Sequence, residues 1–306
     1  MEFLRFLEGL RAPWLTEVML VITAFGEELL FMAVAVILFW CVNKYLGYYM
    51  LSVGFIGIQL NQLGKVLFRI DRPWVRDPSF HAVENAIPEA TGYSFPSGHT
   101  QNAVGTFGTV ARWIRVRWVR IALWTLAVLV AFSRMYLGVH TPADVVVSFA
   151  VAAVLIFALF PVFKDNEGRD RRIRVLMIAM LVWSAAQIAF MELFPFPATA
   201  DAEQLYHGLE NAYKIGGAAV GFAVSFELDR RYVRFDTKAV WWAQIIKVAL
   251  GLGLALGLKE LGYAVFGFIP YAPVVKALAY LLMVLFVGCV WPMTFRLFTK
   301  LGKREA

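Results

Sequence analysis

A succession of apolar runs, most of them near the length of a bilayer crossing, leaves this 306-residue chain few ways to fold. A helix needs about 20 apolar residues to cross the hydrocarbon core. Runs of that kind cover Leu29 to Val42, Tyr45 to about Leu67, Thr100 to Ile114, Trp118 to Tyr136 and Pro142 to Phe163. Four more cover Val175 to Phe194, Asn211 to Phe226, Val240 to Tyr263 and Ala272 to Phe295. Only 17% of residues are charged and 60% are hydrophobic, too little charge to cover a soluble surface of this size. The expected fold is all-α, a polytopic transmembrane helical bundle.

The segment before the first run is amphipathic. Phe3, Leu4, Phe6, Leu7 and Leu10 recur at helical spacing, and Pro13 breaks the pattern. Trp14 to Phe25 is short for a crossing and ends at Gly26-Glu27-Glu28, so residues 1–26 are expected to lie in the interface or half-inserted. One further full span with a polar interruption is the alternative. Met1 to Leu10 hold two acids and one base with no long apolar stretch, so no cleavable signal peptide is expected. The chain then divides into 27–163, a charged linker at 164–174, and 175–306 with about four more helices. Cys41 and Cys289 lie in apolar runs without metal-type spacing and read as free thiols.

The net charge of +7 does not point to nucleic acid, because the basic residues gather in short turns. With Lys44 placed in the cytoplasm, the turns at 112–120, 164–174, 230–238 and 296–304 fall on the same side. They hold most of the 29 Lys and Arg, including Lys300, Lys303 and Arg304. The opposite side holds Lys65, Arg69, Arg72, Arg76 and Arg134. That asymmetry orients the protein in the cell membrane and places three polar clusters together on the extracytoplasmic face.

The first cluster is Lys65-x6-Arg72-Pro73. Two cations at a span end can face one anion, although a lysine there is more often an interfacial anchor. Arg69 and Arg76 are read as anchors. The second is Pro96-Ser97-Gly98-His99, where a helix start offers free N–H groups to an anion. Ser97 is also an ordinary helix cap, and a histidine at a span start is commonly structural. The third is Ser133-Arg134-x5-His140-x3-Asp144. If a helix starts at Thr141-Pro142, His140 and Asp144 share a face, and the carboxylate can fix the imidazole tautomer. Asp144 can instead be a helix-start carboxylate favoured by the dipole. Taken together the clusters supply cations for a phosphate, a nucleophile with its orienting acid, and a second imidazole to move a proton.

These three patterns, in this order and with every position filled, resemble the type 2 phosphatidic acid phosphatase superfamily, over about residues 15–163. The core is similar to bacterial undecaprenyl-diphosphate phosphatases. The resemblance implies phosphoester hydrolysis through a phosphohistidine without metal or other cofactor. It implies His140 as nucleophile, Asp144 as its orienting carboxylate, and His99 as acid to the leaving oxygen. Lys65, Arg72, Ser97, Gly98 and Arg134 would cradle the phosphate. No metal site is expected, since His81, His99, His140 and His207 gather no further acids.

An outward-facing site at the membrane favours a lipid phosphate or diphosphate, with undecaprenyl diphosphate, phosphatidate, phosphatidylglycerophosphate and sphingoid phosphates all within the family's range. Lys214, Glu210, Lys247, Lys259, Glu260 and Lys276 in the added C-terminal helices read as snorkelling or intrahelical pairs, or as a second function. A sphingoid or sugar phosphate phosphatase is one alternative. A lipid transporter or scaffold with a phosphatase-like core is another. A haloperoxidase is disfavoured by the spans.

Overall fold

The computed structural model describes residues 1–301. Among them every regular element is helical. Lys303 and Arg304, counted above among the cytoplasmic charges, lie outside the described residues.

The N-terminal part holds α1 (Glu2–Gly9), α2 (Pro13–Ala24) and α3 (Glu28–Ile37), the last continued by a π turn at Leu38–Val42. Next come α4 (Lys44–Phe68), the short α5 (Pro73–Arg76) and a 3-10 turn at Glu84–Ala86. Helix α6 (Gly98–Ala103) runs through a π turn at Val104–Gly108 into α7 (Thr109–Trp113). Then follow α8 (Arg117–Tyr136), α9 (Pro142–Lys164), α10 (Arg169–Leu193), and α11 (Ala202–Leu228) with a π turn at Asp229–Val233. The chain continues with α12 (Trp241–Phe266), α13 (Ala272–Leu285), a π turn at Phe286–Val290, α14 (Trp291–Met293) and α15 (Phe295–Lys300).

Local chemistry sets several of these starts. Pro13 opens α2, where its missing N–H costs nothing. Asn43 Oδ1 accepts from the N–H groups of Tyr45 and Leu46, capping α4. Gly138, at φ +79°, turns the chain between α8 and α9, a conformation that glycine adopts without strain.

Among the described residues, six helical stretches are long and apolar enough to cross a membrane: Lys44–Arg76, Arg117–Tyr136, Pro142–Lys164, Arg169–Leu193, Trp241–Phe266 and Ala272–Lys300. Helices α2 and α3 pass that test only as a pair, bent by 47° at the polar break. The expected span Leu29 to Val42 thus reaches crossing length only together with the segment before it, in the geometry of a broken span or a re-entrant loop. The expected span Thr100 to Ile114 becomes the helical stretch 98–113, interrupted by a π turn and about 24 Å long at 1.5 Å per residue. The span expected at Asn211 to Phe226 extends to Ala202–Leu228, and Glu203, Glu210, Lys214 and Glu227 make it too polar to qualify. The linker expected over 164–174 is helical from Arg169 onward.

Two compact units emerge. The first comprises Met1–Ala35, Tyr49–Pro161 and Ala200–Gln204. In it, α2 and α6 each pack against α8. The long loop before α6 is seated on the end of α8, where Ala82, Ala86 and Ala90 cluster with Met19, Tyr136, Leu137 and Val139. Gly26 marks a close approach, since a Cβ there would stand 2.8 Å from the His99 carbonyl oxygen.

The second unit comprises Val36–Tyr48, Val162–Thr199 and the described part of Leu205–Ala306. Helices α12 and α13 pack closely, with a Cβ at Gly262 standing 3.0 Å from Ala279. The polar residues of these helices pair across helices more than the sequence suggests. Lys276 meets Glu210 at 2.5 Å, and Tyr213 and Tyr271 both donate to Glu192. Lys247 is buried, donates to the Trp40 carbonyl at 2.9 Å and lies 4.3 Å from the centre of the Phe295 ring. Lys259 pairs with its neighbour Glu260. Cys41 and Cys289 are free thiols.

Candidate active site

The site belongs to the first unit and is assembled from helix ends. Lys65 stands in the last turn of α4 and donates to the Tyr93 carbonyl at 2.7 Å and the Thr91 carbonyl at 3.1 Å. Arg72 caps α5 and is buried. Its Nη2 donates to Thr91 O at 2.7 Å, its Nε to Gly92 O at 3.0 Å and its Nη1 to Val139 O at 2.9 Å. The two cations thus grip the same stretch of backbone, which converts the x6 spacing into one positive patch. Arg69 bonds back to Val66 O and stays out of it.

Ser97 caps α6: its Oγ accepts from Thr100 N–H at 3.3 Å and Oγ1–H at 3.0 Å. The Ser97 N–H donates to the Asp144 carbonyl at 3.2 Å, tying the start of α6 to the start of α9. His99 follows one residue into the helix, and its Nε2 has no protein partner. Arg134, at the end of α8, is 0% exposed. Its Nη1 donates to Thr23 Oγ1 at 2.8 Å, whereas Nε and Nη2 are unpartnered. A buried guanidinium with free N–H groups is costly unless an anion takes them up. Ser133, its neighbour in sequence, bonds back to the Val130 carbonyl.

His140 and Asp144 are both 1% exposed and one turn apart. His140 Nδ1 faces Asp144 Oδ2 at 3.4 Å, and Arg72 Nη1 reaches His140 Nε2 at 2.9 Å. The same Oδ2 accepts from Ser94 Oγ–H at 2.6 Å and from the Thr141 N–H at 2.8 Å. Burial, and then the charges of Arg72, Arg134 and Lys65, hold the His140 imidazole well below its ordinary pKa, so it is neutral at physiological pH.

A cavity of about 280 Å³ is lined by Lys65, Arg72, Gly98, His99 and His140. Ser97, Arg134 and Asp144 stand behind that lining. All eight residues singled out in the sequence therefore come together. The lining also includes Glu27, Glu89, Asn61 and Gln62, which the sequence patterns do not single out. Those patterns also pass over Thr23 and Ser94, a threonine in an apolar run and a serine in a loop. Their only signal is proximity in sequence to the α2–α3 break and to Pro96-Ser97. Among the described residues, no group of three or more His, Cys, Asp or Glu is placed to hold a metal ion. The arrangement can take up a tetrahedral dianion, present it to a neutral imidazole, and offer a second imidazole nearby.

Comparison with known proteins gives the same direction. The profile described as PAP2 superfamily matches residues 29–167, and that described as PAP2 superfamily phosphatase, transmembrane extension, matches residues 213–304. Phosphatidylglycerophosphatase B of Bacillus subtilis (strain 168) is 32% identical over 180 residues, covering 54% of this chain and 80% of that protein. Undecaprenyl-diphosphatase BcrC of the same organism is 35% identical over 107 residues, 35% of this chain; the chain spans about half, 52%, of that relative. An undecaprenyl-diphosphatase of Sulfolobus acidocaldarius is 27% identical over 166 residues, 54% of this chain and 78% of that protein. No solved structure matches the chain at a significant level.

Proposed function

The chain belongs to the PAP2 superfamily and is a phosphatase, and we propose that it hydrolyses a lipid phosphate or diphosphate whose headgroup enters the cavity while its tails stay in the bilayer. The observation that carries this reading is the convergence of His140–Asp144, His99 and the cations Lys65, Arg72 and Arg134 in and behind one cavity. The relatives' names make undecaprenyl diphosphate and phosphatidylglycerophosphate the first substrates to try.

In this mechanism Lys65, Arg72, Arg134, Ser97 and the Gly98 N–H hold the non-bridging phosphate oxygens. Their positive charge offsets the charge that resists attack and stabilises the transition state. The Nε2 lone pair of His140 forms a bond to phosphorus as the bond to the leaving oxygen breaks. Burial and the surrounding cations push the His99 pKa down to about 2, so the ring takes up a proton only with the negative charge of the bound phosphate beside it, and then donates that proton to the leaving oxygen. Asp144 accepts from Nδ1–H and stabilises the charge that the ring acquires on phosphorylation. Water then attacks the phosphohistidine with His99 as base, releasing phosphate and restoring the neutral ring. The cations supply the neutralisation that a metal would otherwise provide.

The site faces the outside of the cell membrane, a side set by the excess of basic residues in the opposite turns. Residues 27–163 form the catalytic core, and 175–306 carry the transmembrane extension.

The test is phosphate release by the purified full chain in detergent from a panel of lipid mono- and diphosphates, sphingoid and sugar phosphates included. Activity is expected on a lipid phosphate, unaffected by EDTA and absent in His140→Ala. Release by His140→Ala would overturn the nucleophile assignment, and loss with EDTA the metal-free mechanism. An impermeant thiol reagent should label a cysteine introduced at Trp74 in intact cells. Labelling only after lysis would invert the topology.

A further inference from the structure

Ser94 lies three residues before Ser97 and is fully buried. Its N–H donates to the Ile70 carbonyl at 2.7 Å, and its Oγ donates to Asp144 Oδ2 at 2.6 Å. That oxygen also accepts from Thr141 N–H at 2.8 Å and faces His140 Nδ1 at 3.4 Å. A carboxylate oxygen has about two lone-pair sites, so three donors on one oxygen compete. The short contacts belong to Ser94 and Thr141, the long one to the imidazole. A hydroxyl-to-carboxylate bond of 2.6 Å is of the strong, charge-assisted kind.

The geometry points to Ser94 as a positioning residue that sets how strongly Asp144 draws on the Nδ1–H of His140, an inference that rests on the assignment of His140 as nucleophile. The groups around His140 are Lys65 from α4, Arg72 from the segment before α5, His99 from α6 and Arg134 from α8. Three of these are cations that oppose protonation of the ring, and Asp144 is the carboxylate in contact with it. The ring's basicity therefore depends on how much of the Asp144 charge reaches Nδ1. The Ser94 hydroxyl takes up part of that charge and holds the carboxylate in place. Through Ile70, its backbone ties the same point to the segment that carries Arg72.

Ser94→Ala, Ser94→Cys and Ser94→Thr in the full chain test this, with phosphate release from short-chain phosphatidate and inhibition by vanadate followed across pH. Ser94→Ala should lower kcat about tenfold. It should leave KM and vanadate inhibition within about twofold. It should also move the acid limb of the kcat/KM profile up by about half a pH unit, because the unshared carboxylate charge then favours the imidazolium. Ser94→Thr, which keeps the hydroxyl, should restore both readouts. A fall in kcat with an unmoved acid limb, or parallel changes in KM and vanadate inhibition, would leave Ser94 a loop-packing group only. If Ser94→Ala does not fold, Ser94→Cys decides, since its weak donor should move the limb the same way and an unmoved limb overturns the inference. His140→Ala is run alongside. Activity in that variant overturns the nucleophile assignment, whereas an inactive His140→Ala with an unmoved Ser94→Ala limb overturns the Ser94 role alone.

Discussion

Arg72 Nη1 stands 2.9 Å from His140 Nε2 and 3.5 Å from its Nδ1, beside the ring whose Nδ1 faces Asp144 Oδ2 at 3.4 Å. A guanidinium is always charged and only donates. Arg72 is close to both ring nitrogens, so it is the carboxylate, which only accepts, that draws the proton of the neutral ring to Nδ1 and leaves Nε2 its lone pair. The tautomer follows from the chemistry of the two neighbours, and it is the one a nucleophilic imidazole requires. Arg72 is itself held by the carbonyls of Thr91, Gly92 and Val139, so the cation beside the lone pair is fixed before a substrate arrives.

Removing that cation has two separable effects. Arg72→Ala should lower kcat/KM by about 100- to 1,000-fold, the usual cost of losing one preorganised donor at developing charge. It should also move the acid limb upward, because a positive neighbour that opposes protonation of His140 is gone. Arg72→Lys keeps a charge but loses the planar fork that spans three carbonyls and the ring, so it should recover only part of the rate. A pH series of kcat/KM on the three proteins checks both effects, and a downward shift in Arg72→Ala would contradict the electrostatic account.

Thr23 acts on the site from α2. It is the hydrogen-bond acceptor for Arg134 Nη1, whose other nitrogens stay unpartnered in a fully buried position. Thr23→Val keeps the shape and removes the acceptor. The loss of one hydrogen bond to a charged group, about 1.5 kcal/mol, should raise KM for a lipid phosphate about tenfold if the guanidinium drifts from its place. Vanadate inhibition should weaken in parallel, because both ligands need the same cradle. Steady-state kinetics with both ligands checks this, and a change in kcat alone would place Thr23 outside the phosphate cradle.

The contrast between Thr23 and the residues around His140 shows what the sequence can convey. Lys65, Arg72, Ser97, His99, Arg134, His140 and Asp144 are polar groups at the ends of apolar runs, where burial without function is expensive, and their spacings are short. They were legible for that reason. Thr23 lies in an apolar run at a position any small residue could fill, and its partner is 111 positions away. Glu27 and Glu89 line the cavity from two separate segments. The break between α2 and α3 left two readings open, because Gly26-Glu27-Glu28 can end an interfacial helix or bend a span. The structure shows a 47° bend at this break, with Gly26 set against His99. Lys247 looked like a snorkelling lysine, yet it reaches the Trp40 carbonyl across 207 positions. Periodicity says nothing about such distant pairs.

The depressed proton affinity of His140 has a consequence for stability. In the unfolded chain this histidine titrates near its ordinary value of about 6.5. In the folded protein burial and the surrounding cations hold it neutral to much lower pH. Below about pH 6.5 the unfolded state therefore binds the extra proton and the folded state does not, so stability falls as pH drops through this range and is fully present above it. Thermal unfolding in detergent should show this loss on the acid side, and His140→Asn should reduce its slope. A slope unchanged by His140→Asn would assign the acid loss to other groups.

The second unit offers an independent test of buried pairing. Lys44 Nζ meets Asp229 Oδ2 at 2.9 Å, and Asp229 is 5% exposed against 23% for Lys44. The lysine also lies 4.5 Å from the centre of the Phe235 ring, and Asp229 Oδ1 accepts from the Phe235 N–H at 3.3 Å. Asp229→Ala would leave both donors without their carboxylate. Breaking a fully buried pair costs about 3–5 kcal/mol, and the partial exposure of Lys44 lowers the expected figure to about 2 kcal/mol. Replacing both residues, Lys44→Met with Asp229→Leu, removes the unpaired charge and should sit closer to the native protein than Asp229→Ala does. Melting temperatures of the two single variants and the double variant form a cycle that isolates the pair. If the double variant loses as much as the two single variants combined, the pair contributes nothing and Asp229 acts through the Phe235 turn alone.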